Sequence, residues 1–280
     1  VPHSPADDRT RRDAGDALLA LADVMTRLRA PDGCPWDAEQ DLHTLRRYLV
    51  EEAHEVLEVI DQLSPAGEGD WEAHRDELGD LLLQVVFQSE IQREAGRFDL
   101  GDVAQAIHDK LVRRHPHVFE GKERKPGDWE RIKAEERAAK GKAHTSALDG
   151  VPAGLPALMR AYQLGKKANA VGFDWPDTGG VVDKIKEELG EVEEALASGN
   201  KERFSEEVGD LLYAIVNLSR HVGIDPEAAL RGTMRRFQDR FAIVEEGLRA
   251  EGRQAKGTAL DELEARWQAA KRQLKDAAEG

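Results

Sequence analysis

Two short acidic patterns recur, in the same order, in each half of this chain. The first half reads Glu51-Glu52-Ala-His-Glu55 and then Asp76-Glu77-Leu-Gly-Asp80-Leu-Leu; the second reads Glu187-Glu188-Leu-Gly-Glu191 and then Glu206-Glu207-Val-Gly-Asp210-Leu-Leu. On a helix, residues three apart share a face with Cβ atoms about 5–6 Å apart. Glu52 with Glu55, Glu77 with Asp80, Glu188 with Glu191 and Glu207 with Asp210 are therefore carboxylate pairs, and two such helices side by side present four acids. At separations near 4 Å each like-charged pair costs about 1 kcal/mol in water and about 4 kcal/mol at an effective dielectric of 20. Such a tetrad calls for a cation. All-oxygen ligands suit hard divalent ions, Mg²⁺ above all because it leaves positions for water and phosphate, with Mn²⁺ as a substitute.

A single EExxE string is weak, since acids are common here and solvated acidic helix faces are ordinary. The joint pattern is stronger. Asp80 and Asp210 stand immediately before Leu81–Phe87 and Leu211–Val216, stretches apolar on nearly every side of a helix, and an acid at the edge of buried surface requires a partner. The correspondence also continues downstream. Lys110 and Arg114 match Arg236 and Arg240, and Trp129 with Lys133 matches Trp267 with Lys271, at offsets between 126 and 138 residues throughout. Offsets this similar imply duplication with changes in loop length.

The basic residues suit an anion held beside the acids. Lys184 lies one turn before Glu188 on the same face, so its ammonium reaches whatever that carboxylate helps to hold. Arg236 and Arg240 carry guanidinium forks matched to phosphate oxygens, with plain surface solvation as the alternative. Trp267 has two readings, a stacking platform for a base or ribose and an ordinary core residue. The halves differ where Lys184 corresponds to Tyr48, and where Ser64–Asp70 lengthens the first connection between the acidic patterns.

These residues must be positioned by helices. Apolar residues recur at helical spacing, as in Leu18, Leu21, Ala22, Met25 and Leu28, and alternating strand-like runs are scarce. An all-α fold of about nine helices follows, with breaks at 30–40, 64–70, 116–128, 144–156, 172–176 and 251–257. Asp225-Pro226 reads as a capped helix start, and Thr258 with Asp261 resembles a capping box. The stretch 148–156 holds two glycines and two prolines. It marks the linker, giving two related helical-bundle modules, 1–150 and 151–280, with the boundary near Gly150.

Composition narrows the class. The 280 residues carry a formal charge of −15, which repels nucleic-acid polymers and requires local cations for any polyphosphate ligand. One cysteine, Cys34, excludes an internal disulfide and fits a reducing cytoplasm. No apolar run is long enough to span a bilayer, and Val1 to Arg12 does not read as a signal peptide. Gly165-Lys166 and the other Gly-Lys pairs are not followed by Ser or Thr in a phosphate-loop motif, and HExxH is absent.

At this point the chain resembles the MazG-type nucleoside triphosphate pyrophosphohydrolases, over roughly Leu18 to Lys271. The segments Cys34-Pro-Trp-Asp37, Arg113-Arg-His-Pro-His-Val-Phe119, Val171-Gly-Phe-Asp-Trp-Pro176 and Val216-Asn-Leu-Ser-Arg-His221 carry the likeness beside the acidic patterns. The resemblance implies all-α modules that pair as homodimers and, with Mg²⁺, cleave nucleoside or deoxynucleoside triphosphates between the α and β phosphates, giving a monophosphate and pyrophosphate. It implies metal ligation by Glu188, Glu191, Glu207 and Asp210, and by Glu52, Glu55, Glu77 and Asp80 in the first module. Substrate contacts carried over are Lys184, Arg203, Glu206, Arg236, Arg240, Trp267 and Lys271, with Lys110, Arg114, Trp129 and Lys133 as first-module counterparts. The implied mechanism is in-line attack by a metal-activated water on the α-phosphorus, with Glu187 or Glu51 orienting or deprotonating that water or standing one layer back. Because Tyr48 replaces Lys184, the second module is expected to be the more active.

Two other readings compete. A di-iron carboxylate bundle is suggested by Glu51-x-x-His54, but such sites want an ExxH from each of two helices, and Gly190 stands where His54 does. A nucleotide-sensing or partner-binding module with little turnover is the second, and complete tetrads in both halves weigh against it.

Overall fold

The computed structural model describes residues 5–64, 69–123, 131–132, 135–136 and 146–279. Every regular element among them is a helix. The chain divides into two compact units, Val1–Lys142 and Ala143–Gly280, called modules 1 and 2 below. The expected Trp129 and Lys133 lie outside the described residues.

Module 1 runs through α1 (Pro5–Arg29), α2 (Pro35–Glu39), α3 (Leu45–Gln62), α4 (Trp71–Glu94), α5 (Leu100–Arg114) and α6 (Pro116–Phe119). Its centre is an α3–α4 hairpin with α1 and α5 packed on α4. The expected apolar stripe of α1 folds inward: Met25, Leu45, Val86 and Phe87 are buried, with Leu18, Leu21, Ala22 and Leu28 packed around them. Arg29 fixes the corner carrying α2. Its guanidinium donates to the Asp37 carbonyl at 2.6 Å and the Gln40 carbonyl at 3.1 Å, pairs with Glu94 at 2.8 Å, and lies over the Phe87 ring.

Module 2 runs through α7 (Ala157–Asn169), α8 (Thr178–Ser198), α9 (Lys201–His221), α10 (Pro226–Ala250) and α11 (Leu260–Glu279). Here α8 and α9 form the closest pair, α7 packs on α9 and α10, and α10 on α11. The hairpin is tied off chemically at its turn. Gly199 ends α8 with φ +67°, a left-handed value that glycine adopts without strain, and the Asn200 side chain caps α9 by accepting from the N–H groups of Glu202 and Arg203. At the other end the Asp177 carboxylate accepts from Gly179 and Gly180. The α8–α9 register is thereby set before any ligand is considered.

Eleven helices have both bounds among the described residues, and residues 131–132 and 135–136 are helical as well. Two of the eleven, α2 and α6, are single turns inside stretches whose prolines suggested only loop. Pro35 and Pro116 each occupy a first-turn position, where a missing N–H costs nothing. Asp225 does cap α10 ahead of Pro226, accepting from Glu227 and Ala228. The capping box read from Thr258 and Asp261 is not what starts α11: the helix begins at Leu260, and the Thr258 hydroxyl donates back to the Gln254 carbonyl at 2.8 Å.

The segment leading into α8 is anchored on α9 by a buried ion pair. The Arg220 guanidinium donates to Asp174 Oδ1 at 2.6 Å and to Asn217 Oδ1 at 3.1 Å, and His221 Nε2 lies 2.9 Å from the same Asp174 oxygen. Gly165 of α7 makes room for it: a Cβ there would stand 2.9 Å from Asn217 Oδ1 and 3.0 Å from Arg220 Nε. Arg220, helped by His221 and the Trp175 N–H, overrides burial and holds the Asp174 carboxyl at about 2, against an ordinary 3.8. Because this pKa is depressed, the associated stability is complete above pH about 4 and is lost as the pH falls towards 2. Arg220→Ala is expected to lower the unfolding free energy of module 2 by about 3 kcal/mol at pH 7 in urea titrations. That deficit shrinks in acid as the wild type loses the pair. A deficit unchanged between pH 7 and pH 2.5 would exclude the pair as its source.

Candidate metal centres

The α8–α9 hairpin brings Glu188, Glu207 and Asp210 together, with one oxygen of each within 4.8 Å of the other two. Glu188 points into the hairpin and is 5% exposed. Its Oε1 is 2.7 Å from Lys184 Nζ, whereas its buried Oε2 has no hydrogen-bond partner. An unpartnered buried carboxylate oxygen costs the full desolvation of that atom, roughly 1–3 kcal/mol or more for a charged group. Two further carboxylates aimed at the same space make the cost larger, so the donor set fits a divalent cation bound by oxygen. Glu191 stands beside the trio, within reach of the Glu188 and Glu207 charges. Burial, then the charges of Glu207 and Glu188, push its carboxyl above the usual range.

Cations flank this cluster on both helices. Lys184 bonds Glu187 at 2.8 Å as well as Glu188, and these carboxylates raise its ammonium above the usual lysine value. Arg203 reaches Glu207 at 3.2 Å and Glu194 at 3.3 Å. The (i, i+4) spacing of Lys184 with Glu188 and of Arg203 with Glu207 explains both pairs. Glu206 is exposed on α9 beside them. The sequence places Lys184 and Arg203 towards an anion; in the structure both are paired with the acids themselves.

Module 1 repeats the cluster with a different trio. Glu52 and Glu55 of α3 and Glu77 of α4 bring oxygens within 4.8 Å of one another. Asp80 acts on them through its charge: Glu52 is raised by burial, then by Glu55, Asp80 and Glu77, and Glu77 by burial, then by Glu55, Asp80 and Asp76. In place of Lys184, Tyr48 carries the Arg47 guanidinium over its ring, 4.4 Å from the centroid. Glu51 is exposed on the adjoining turn. The two modules thus share Glu52 and Glu188, and Glu77 and Glu207, and draw the third acid from opposite helices.

The downstream basic residues are placed on other elements. Arg236, on α10, donates to the Thr233 hydroxyl at 2.9 Å. The Arg240 guanidinium lies 5.7 Å from the Trp267 ring centroid, and its buried Nε has no hydrogen-bond partner. Trp267 packs against Phe237 at 4.9 Å between centroids and flanks the buried Val244, Leu248 and Ala270, the contacts of a core residue. Lys271 and Lys110 are exposed. Arg114 donates to Glu136 at 2.6 Å; with Arg113 it holds that carboxyl at about 2. Spacing gave no signal for this partner, 22 residues away.

Comparison with known proteins follows the same division. The model of the MazG nucleotide pyrophosphohydrolase domain matches residues 40–119, and that of phosphoribosyl-ATP pyrophosphohydrolase matches residues 171–237. The chain is 47% identical to the nucleoside triphosphate pyrophosphohydrolase of Escherichia coli (strain K12) over 261 residues, covering 90% of this chain and 96% of that protein. It is 41% identical over 264 residues to the nucleoside triphosphate pyrophosphohydrolase/pyrophosphatase MazG of Thermotoga maritima, covering 93% and 98%. A third relative, the nucleoside triphosphate pyrophosphohydrolase of Mycolicibacterium smegmatis, is 36% identical over 165 residues, 57% of this chain and 48% of that protein. Two tandem acidic hairpins, a domain match on each and relatives aligned nearly end to end lead to one assignment: the chain belongs to the MazG-type nucleoside triphosphate pyrophosphohydrolases.

Proposed function

We propose that this protein hydrolyses nucleoside or deoxynucleoside triphosphates to a nucleoside monophosphate and pyrophosphate, with Mg²⁺ as cofactor and Mn²⁺ as a substitute. The observation that carries this reading is the buried, unpartnered Glu188 Oε2 inside the trio with Glu207 and Asp210. Glu188, Glu191, Glu207 and Asp210 would hold the ion in module 2, and Glu52, Glu55, Glu77 and Asp80 in module 1. The ion would supply charge neutralisation on the phosphates and a more acidic water.

The chain's own residues then divide the work. Lys184 and Arg203, already at the rim of the acidic cluster, exchange carboxylate for phosphate oxygens, supported by Glu206 at the same turn of α9. Arg236, Arg240 and Lys271 bring further positive charge to the phosphate tail, and Trp267 stacks on the base or ribose. Glu187, exposed and bonded to Lys184, orients the attacking water or accepts its proton. Glu51 is its counterpart, and Lys110, Arg114, Trp129 and Lys133 are the module 1 counterparts of the substrate contacts. Water oxygen bonds to the α-phosphorus, the bond from that phosphorus to the bridging oxygen breaks, and pyrophosphate departs with the electron pair.

Residues 1–150 and 151–280 are proposed as the two duplicated modules, the second being the more active because Tyr48 denies module 1 the ammonium of Lys184. The proposed assembly is a homodimer. Leu189, Leu196, Leu212 and Ile215 are exposed on α8 and α9, an apolar area that a second hairpin would cover. The proposed compartment is the cytoplasm, in keeping with the lone cysteine; no helix among the described residues is long and apolar enough to cross a membrane.

With a panel of triphosphates and Mg²⁺, pyrophosphate and monophosphate are expected in equal amounts, and orthophosphate alone would refute the bond assignment. Glu188→Gln is expected to lower kcat on the order of 100-fold or more, whereas Glu52→Gln leaves most turnover. Equal losses would overturn the ranking of the modules. Millimolar Mg²⁺ is expected to raise the thermal midpoint of the wild type by a few degrees and that of Glu188→Ala by less, since the module 1 acids remain. Light scattering after gel filtration should give twice the chain mass, falling to one chain on Leu212→Glu; a monomeric wild type removes the dimer from the proposal.

A further inference from the structure

Two of the segments that carry the family likeness, Val171–Pro176 and Val216–His221, supply none of the proposed metal ligands or substrate contacts. The structure joins these segments to each other. Arg220 and Asp174 form the ion pair described above, with side chains only 8% and 11% exposed. The pair closes the end of the α8–α9 hairpin opposite its Gly199–Asn200 turn. The module 2 acids lie between these two fixed ends. Arg220 stands ten residues beyond Asp210 on α9, about 15 Å along the axis, and its own bonds go to Asp174 and Asn217.

Asp174 reaches α8 through its neighbour. The oxygen that takes Arg220 also accepts from the Trp175 N–H at 2.9 Å. The Trp175 ring in turn lies on the first turn of α8, where a Cβ on Gly180 would stand 2.6 Å from Trp175 Cδ1. Asp177 caps the same turn by accepting from Gly179 and Gly180. Ion pair, indole and cap together fix where α8 begins against α9. A helix is a stiff rod, so that start sets the height and rotation of Glu188, ten residues inside it. Slippage by one residue moves a side chain about 1.5 Å along the axis and about 100° around it. Three oxygens within 4.8 Å of one another do not stay together through such a displacement.

Module 1 supplies the contrast. At the offset that relates Asp80 to Asp210, Glu90 occupies the place of Arg220. Its carboxylate turns to Arg93 on its own helix at 2.7 Å, and Arg29 of α1 holds the segment before α3 through the Asp37 and Gln40 carbonyls. The hairpin that is tied differently closes a different trio, with Glu55 in the role that Asp210 has in module 2.

We propose that Arg220 and Asp174 are positioning residues for the divalent-ion site of module 2: by fixing the start of α8 against α9, they bring Glu188 to Glu207 and Asp210. The inference rests on the metal reading given above.

The test is Mn²⁺ binding to the full-length chain, followed by electron paramagnetic resonance of the free ion, in a background of Glu52→Gln with Glu77→Gln that leaves the module 2 acids to report. The background should bind Mn²⁺ and lose it on Glu188→Gln. At a temperature where circular dichroism shows each variant fully folded, Arg220→Ala and Asp174→Asn should each weaken binding roughly tenfold or more. Arg220→Lys, which keeps the charge but not the fork between Asp174 and Asn217, should recover part of that loss and covers the case in which Arg220→Ala does not fold. Leu248→Ala is the control for stability alone: it empties a fully buried position in the α10–α11 core, away from the hairpin, and should leave the affinity unchanged. Affinity unaltered in the Arg220 and Asp174 variants, or weakened as much by Leu248→Ala, overturns the proposal. A background that binds no Mn²⁺ defeats the metal reading together with this inference. Binding that Glu188→Gln abolishes and the Arg220 variants leave intact defeats this inference alone.

Discussion

Negative charge confined between two packed helices is the constraint on which the rest of this molecule depends. Each hairpin buries apolar side chains along one stretch and then sets three carboxylates within 4.8 Å of one another at the edge of that buried surface. Hydrophobic packing is indifferent to where those charges fall, so the repulsion has to be met locally. The capped turns and the flanking cations are intelligible as responses to that one demand, and Glu188 Oε2 is the oxygen they leave unpartnered.

The modules meet it in different ways. Module 2 brings in Lys184 and Arg203 from within its own helices and leaves one carboxylate oxygen unsatisfied. Module 1 has Tyr48 at the position of Lys184; burial first, then the neighbouring carboxylates, raise Glu52 and Glu77, and the Arg47 guanidinium rests on the Tyr48 ring. A duplicated design has therefore kept its acids and diverged in its cations. For anion binding this matters, because a cation already bonded to a carboxylate and one poised over a phenol answer an incoming phosphate with different energies.

Much of this was legible in the sequence because it is local. Helical periodicity placed Met25 and its neighbours in the core, and the Asp225-Pro226 pair announced the start of α10. The three-residue spacing put the acids on shared faces. What sequence could not supply were choices made across space or between near-equal options. Arg114 finds Glu136, Arg220 finds Asp174, and Thr258 turns back to Gln254 instead of capping α11. Which three of four acids close together depends on how two helices meet, and so Asp210 joins in one module while Glu55 joins in the other. The one-turn helices α2 and α6 escaped notice because prolines that break a long helix also begin a short one.

The α8–α9 turn, Gly199 with Asn200, leaves almost no spare chain. A residue gained or lost within either helix rotates everything beyond it by about 100°, and only changes near whole-turn multiples such as seven or eleven residues restore the original face. Length variation in descendants of this hairpin is thus channelled into connectors, as the longer stretch between α3 and α4 illustrates. The tight turn thus couples the length of both helices to the placement of the acids, so that a change of length there moves the site while a change in a connector does not.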